Sequence, residues 1–163
     1  MKFIITMVMS LFAAAPAYAQ GNISFSFNIG RQPVWGPTGY DHVEYYYLPD
    51  IEVYYYVPQR RFFYFEGDRW MSGLYLPERY HSVDLYASYK IVLNERTPYR
   101  NHGVYRGQYL SYRGRHGQPS IRDSRDPKYF LNEHHPEHGR WMQQRRDNDD
   151  GAEQGRHLKR GRK

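Results

Sequence analysis

Between Val43 and Leu93, the hydrophobic positions are mostly aromatic or β-branched residues, and turn-forming residues interrupt them at short intervals. Such side chains suit a pleated, half-buried surface, and the spacing of the turns is typical of antiparallel strands joined in sequence. We therefore predict a mainly β fold, a small antiparallel meander of about 4–5 strands that is barrel-like or sandwich-like. The predicted strands are residues 43–48, 51–57, 62–66, 69–74 and 89–93.

Two turns set the expected pairing of the central strands. Gly67-Asp68 suits a two-residue type II′ hairpin, because glycine accepts the positive φ of the first turn position. This turn predicts the pairs Glu66 with Arg69, Phe65 with Trp70, and Tyr64 with Met71. The preceding hairpin, closed around Gln59-Arg60, is predicted to pair Val57 with Phe62, Tyr55 with Tyr64, and Tyr54 with Phe65.

Both faces of this predicted sheet are aromatic. Alternation along the strands places one set of side chains on one face and a second set on the other. The first set is Val53, Tyr55, Val57, Phe62, Tyr64 and Met71, and the second is Tyr54, Tyr56, Phe63, Phe65 and Trp70. A solvated face normally carries polar residues. Either a second layer covers each face, or one face binds a partner, with Tyr54, Tyr56, Phe65, Trp70 and Trp35 as candidate ligand-binding aromatics.

The residues before the β-domain fall into two segments. Residues 1–19 combine a basic start, an apolar run and the small residues Ala17 and Ala19, which is the pattern of a secretory signal peptide cleaved before Gln20. This predicts a periplasmic, outer-membrane-associated or extracellular protein without a transmembrane span after cleavage. Residues 20–42 begin with strand-like alternation and then become rich in Pro and Gly, which predicts a loosely attached strand and loop.

The chain carries a formal net charge of +6, and the excess of Lys and Arg lies in residues 101–163 rather than in the β-domain of residues 43–100. This last segment is poor in large apolar residues, which predicts a basic, mostly disordered tail with a short helix at residues 136–146. Arg106, Arg113 and Arg115 alternate with Tyr and Gly and are candidate anion-binding residues. The alternative is a solvated linker without a specific partner.

Export changes the expected partners of such a tail. Outside the inner membrane these are lipopolysaccharide, anionic polysaccharide or another envelope protein, and intracellular nucleic acid is disfavoured. His134, His135 and His138 form the densest group of potential metal ligands, but they are only weak candidates because they do not share one helix face. The chain has no Cys, and we predict neither a metal nor another cofactor.

A resemblance supports the β assignment. The segments Leu48-Pro49-Asp50, Phe62-Phe63-Tyr64-Phe65, Gly67-Asp68-Arg69-Trp70 and Leu76-Pro77 resemble small exported, tyrosine-rich bacterial envelope proteins of unknown function. The resemblance covers about residues 48–100 and implies no activity or cofactor.

No nucleophile elbow, metal-binding helix motif or phosphate-binding glycine loop is present in the sequence, so no catalytic residue is predicted. We therefore expect a non-enzymatic envelope protein that binds an anionic macromolecule or a protein partner. The alternative is a carbohydrate- or peptidoglycan-binding module that uses exposed aromatics, and a metal-binding protein or an enzyme is less favoured.

Overall fold

A computed structural model describes residues 28–160, with side chains as far as residue 152. Its centre is a five-stranded antiparallel sheet in the order β4-β3-β2-β1-β5. The strands are β1 (Tyr45–Leu48), β2 (Val53–Tyr56), β3 (Arg61–Glu66), β4 (Arg69–Gly73) and β5 (Ile91–Leu93). Within the described residues, two α-helices follow, α1 (His102–Gln108) and α2 (His138–Arg160), together with several short 3₁₀ turns. The antiparallel sheet is therefore confirmed, but helices and turns rather than a second sheet complete the fold.

The pairing of the strands agrees with the pairing predicted from the sequence at one hairpin and differs from it at the other. Around Gly67, which has φ 65°, Phe65 pairs with Trp70 as predicted. Between β2 and β3, Tyr55 pairs with Phe62 instead of Tyr64, a shift of two residues. The cause is a 3₁₀ turn at Val57–Gln59 followed by Arg60 in the left-handed region, which closes the hairpin earlier. A shift of two residues keeps every side chain on its predicted face.

The first face of the sheet carries an apolar cluster in which tyrosines pack among aliphatic residues. Its buried members are Val43, Tyr46, Leu48, Val53, Tyr55, Val57 and Phe62. Loop residues cover this face, with Trp35 lying over Tyr55 at a ring-centroid distance of 4.9 Å. Trp35, predicted as a ligand-binding aromatic, is instead part of this covering layer.

The second face consists mostly of aromatic rings, and tyrosine is the commonest of them. Tyr47 stacks on Tyr54 with centroids 4.7 Å apart, and they are covered by Tyr105 of α1 and by the half-buried Tyr109, which directly follows α1. Both faces of the sheet therefore have a covering layer. The tyrosine rings supply the buried area while their hydroxyl groups find hydrogen-bond partners.

The segment before β1 is firmly attached rather than loose. The Asn28 side chain donates to the Val43 carbonyl oxygen and accepts from the Val43 amide. Gln32 is buried and accepts a hydrogen bond of 2.9 Å from the Tyr46 hydroxyl. The structure of residues 28–42 thus corrects the predicted loose strand and loop. Residues 20–27 and the predicted signal peptide lie outside the described residues.

The predicted disordered tail is also corrected. Ile121 and Tyr129 are buried, and the Tyr129 hydroxyl accepts a hydrogen bond of 2.7 Å from the Gly39 amide. Composition underestimates how much of this segment is folded, because tyrosine rings and side-chain hydrogen bonds replace the missing aliphatic residues. The predicted helix at residues 136–146 is present but longer, spanning His138–Arg160.

Candidate functional site

Glu52 is the centre of a cluster of charged side chains beside the sheet. It lies in the turn between β1 and β2 with φ 57°, a left-handed conformation that is rare for residues other than Gly, Asn and Asp. Its carboxylate forms an ion pair with Arg106 Nε at 2.8 Å and accepts hydrogen bonds from the Arg113 guanidinium and from His102 Nε2 at 3.2 Å. This arrangement collects two guanidinium groups and one imidazole around a single carboxylate.

His102 connects this cluster to the buried tyrosines. Its Nδ1 lies 3.0 Å from the Tyr54 hydroxyl, and its Nε2 faces Glu52. Because the carboxylate can only accept, Nε2 carries the proton and Nδ1 accepts from Tyr54. Burial of the ring and then the nearby charge of Arg106 lower the pKa of His102, and burial raises the pKa of the Tyr54 phenol. The neutral imidazole is thus the form that the folded protein favours.

The pKa of His102 gives a prediction for the pH dependence of stability. A folded-state pKa below the unfolded value of about 6.5 means that the contribution of His102 is present above that pH and is lost as the pH falls. We expect the free energy of unfolding to fall less between about pH 7.5 and about pH 5 in His102→Gln than in the wild type. Urea titrations at a series of pH values measure this difference, and parallel pH profiles for the two proteins would contradict it.

A cleft of about 300 Å³ opens beside this cluster. Sheet residues Phe65 and Trp70 line it together with Tyr99, Arg100 and Arg106. Phe65 is 48% exposed, and Trp70 is held at its edge with ring centroids 5.4 Å apart. The cleft therefore combines two aromatic rings in an edge-to-face arrangement with arginine side chains, a size and composition that suit a small ligand group.

A second depression of about 410 Å³ adjoins the first, because Glu52, Phe65 and His102 line both. Asp50 and Arg113 lie on its far side. Asp50 Oδ1 accepts a hydrogen bond of 2.7 Å from the Gly114 amide, which fastens the chain after α1 to the turn before β2. The exposed ring of Phe65 therefore stands between two depressions.

The structure separates the five predicted aromatic residues. Phe65 and Trp70 line the cleft, whereas Tyr54 is fully buried below it and reaches the site only through its hydroxyl. Tyr56 stacks on Tyr45 with centroids 4.7 Å apart and does not line either depression. Trp35 lies on the opposite face of the sheet, packed among Tyr46, Tyr55 and Phe62.

Two of the three predicted arginines meet at the site. Arg106 and Arg113 both contact Glu52, whereas the Arg115 guanidinium lies over the Tyr112 ring at 4.6 Å. Sequence reasoning missed Glu52, His102, Tyr99 and Arg100 as members of the site.

The predicted histidines serve structural contacts. His135 is buried and contacts the Ser124 carbonyl oxygen at 3.1 Å, and His138 contacts the Phe130 carbonyl oxygen at 2.7 Å. His134 lies beside Glu133 at the surface. Among the described residues, no group of three or more His, Cys, Asp or Glu side chains is arranged to hold a metal ion.

Comparisons with known protein families, curated proteins and solved structures found no match to this chain. In the part of the chain that the structure describes, no helix has the length and apolar character needed to cross a membrane. The chemistry of the cleft is therefore the basis for assigning a function.

Proposed function

We propose that this chain is an exported, non-enzymatic envelope protein that binds an anionic macromolecule through the cleft beside Glu52. The observation that carries the proposal is the exposure of two guanidinium groups that line the cleft. Arg106 stays 59% exposed although its Nε lies 2.8 Å from Glu52, and Arg100 is exposed and forms no ion pair with any described residue. Two guanidinium groups at one cleft edge can bind phosphate, sulfate or carboxylate groups in the bidentate manner typical of arginine.

A binding role fits the local hydrogen bonds better than catalysis. Both ring nitrogens of His102 are engaged, with Tyr54 and Glu52. A general base must reach the proton of its substrate, but the proton-accepting Nδ1 is occupied by the phenol of Tyr54, which is fully buried. The Glu52 carboxylate is similarly surrounded by three donors. These contacts hold Arg106 and Arg113 against Glu52, and the exposed guanidinium groups of Arg100 and Arg106 remain accessible to a ligand.

The export part of the proposal is supported by the N-terminal sequence. Residues 1–19 have the charge, apolar run and small residues of a secretory signal. An exported basic protein meets anionic polymers at the cell envelope, including lipopolysaccharide and acidic polysaccharide. The proposed location is therefore the periplasm, the outer membrane surface or the exterior.

The test is the affinity for a simple polyanion, dextran sulfate, measured by calorimetry. Arg100→Ala/Arg106→Ala is expected to weaken binding by about a hundredfold or more, because each of the two lost charge-assisted hydrogen bonds contributes about 1.5–3 kcal/mol. Arg31→Ala/Arg145→Ala removes the same charge outside the cleft and serves as the matched control. Equal weakening in both double variants would show that only net charge matters and would overturn the cleft as the binding site.

A further inference from the structure

We propose that the ligand is an acidic polysaccharide with alternating charged and uncharged sugars, and that the two adjoining depressions hold two consecutive units of it. This inference rests on the proposed function and adds the chemical class of the ligand. The acidic sugar lies against Arg100 and Arg106, and the uncharged sugar lies beside Asp50. Phe65 separates the two units.

The aromatic residues supply the first argument for a sugar. Phe65 keeps nearly half of its surface exposed although it lies in a sheet whose other rings are mostly covered. Trp70 is fixed against Tyr54, Tyr99 and His102, with centroid distances of 5.6, 5.6 and 5.2 Å. A rigid, exposed aromatic surface gives the apolar C–H face of a sugar ring a contact that costs little side-chain entropy. A bare inorganic anion would gain nothing from these rings.

The distribution of charge supplies the second argument. Arg100 and Arg106 make the first depression positive even with Glu52 beside them. In the second depression, Asp50 and Glu52 face a single guanidinium, that of Arg113, and this side is therefore acidic. An anionic group is attracted to the first depression and repelled from the second, where carboxylate oxygens accept hydrogen bonds from sugar hydroxyl or amide groups.

This difference in charge distinguishes an alternating polysaccharide from other envelope polyanions. Nucleic acid carries a charge at every nucleotide, and anionic lipid presents a continuous negative surface. Either ligand would place a negative group beside Asp50. Only a polymer whose charges are separated by an uncharged unit satisfies both depressions together.

The experiment compares three six-sugar probes by calorimetry with the purified protein. They are a hyaluronan hexasaccharide, with acidic and uncharged sugars in alternation, a hexagalacturonate, with an acid on every sugar, and an uncharged chitohexaose. We expect the alternating probe to bind at least about tenfold more tightly than either of the others. A single-stranded oligonucleotide and vesicles of phosphatidylglycerol serve as competitors and are expected to displace it weakly.

Three variants assign the effect to the two depressions. Phe65→Ala is expected to weaken binding of the alternating probe about tenfold, and Tyr75→Ala, at an 83% exposed aromatic outside both depressions, is expected to leave it unchanged. Asp50→Asn removes the repulsive carboxylate, so it is expected to strengthen binding of the hexagalacturonate. The preference for the alternating probe over the hexagalacturonate is then expected to become smaller. Circular dichroism confirms that each variant is folded.

The outcomes separate this inference from the proposed function. If all polyanions bind equally well and the double arginine variant still loses binding, the cleft binds anions but the proposal of an alternating saccharide is wrong. If the hexagalacturonate binds as tightly as the alternating probe and Asp50→Asn changes nothing, the role of the acidic depression is overturned. If no polyanion responds to the arginine substitutions, both proposals fall.

Discussion

A chain that ends at Arg100 is expected not to fold, whereas a chain that ends at Glu137 is expected to keep its tertiary structure. The first truncation removes α1 and uncovers the tyrosine face, including Tyr47 and Tyr54. An aromatic side chain buries about 150–250 Å². At about 25 cal/mol per Å², uncovering several such rings approaches the whole stability of a domain, about 5–15 kcal/mol.

The same truncation removes contacts on the other side of the molecule. Gln118 accepts from the Lys90 amide at 2.7 Å and donates to the Lys90 carbonyl oxygen at 3.0 Å, so it fastens the start of β5. Ser120 forms a bridge with Pro37, and the Ile121 amide donates to the Gly36 carbonyl oxygen at 2.9 Å. The residues between α1 and α2 therefore hold both the edge of the sheet and the segment before β1.

Ending the chain at Glu137 removes a helix whose described side chains are mostly exposed, so its loss uncovers little of the core. Near-ultraviolet circular dichroism of the two truncated chains measures which of them keeps its tertiary structure. Limited trypsin digestion of the full chain is the second test. We expect trypsin to cleave first within α2, where several Arg side chains are exposed. A trypsin-resistant core that ends near Arg100 would contradict this account and restore the prediction of a disordered tail.

The sheet could be predicted from the sequence because its signals are local. Alternation of Val, Tyr and Phe along β2 and β3 assigns each side chain to a face, and Gly67 fixes one hairpin. The β2–β3 register could not be predicted, since several four-residue connections fit the residues around Pro58 equally well. The left-handed conformation of Arg60 selects among them, and Arg has no special preference for it.

The candidate site could not be assembled from the sequence because its members are distant along the chain. Glu52 and His102 are separated by 50 positions and meet only through the packing of α1 on the sheet. The arginine-tyrosine-glycine composition around Arg106 and Arg113 predicts anion binding, but the same composition also predicts disorder. Tyrosine resolves the conflict, since its ring can be buried while its hydroxyl binds a polar group, as Tyr54 does with His102.

Replacing Tyr46 by Ala is expected to lower the free energy of unfolding by about 3–5 kcal/mol, the range found for the truncation of buried aromatic rings. Tyr46 is fully buried at the centre of the sheet, and its ring lies 5.6 Å from that of Trp35. A Cβ added at Gly36 would lie only 2.8 Å from the Tyr46 hydroxyl, so the loop is closely packed on this ring. The loop cannot collapse into the cavity without losing its own backbone contacts.

Tyr46→Phe separates the two contributions of this side chain. The ring remains, but the oxygen of the buried Gln32 amide loses the hydrogen bond of 2.9 Å from the Tyr46 hydroxyl, which is expected to cost about 1–3 kcal/mol. Tyr75→Ala, at an exposed position, is the matched control and is expected to change stability by less than about 0.5 kcal/mol. Urea unfolding followed by tyrosine and tryptophan fluorescence gives all three values. If Tyr46→Ala were no more destabilised than Tyr75→Ala, residues 28–42 would not form part of the cooperative fold, and the loose attachment predicted from the sequence would be right.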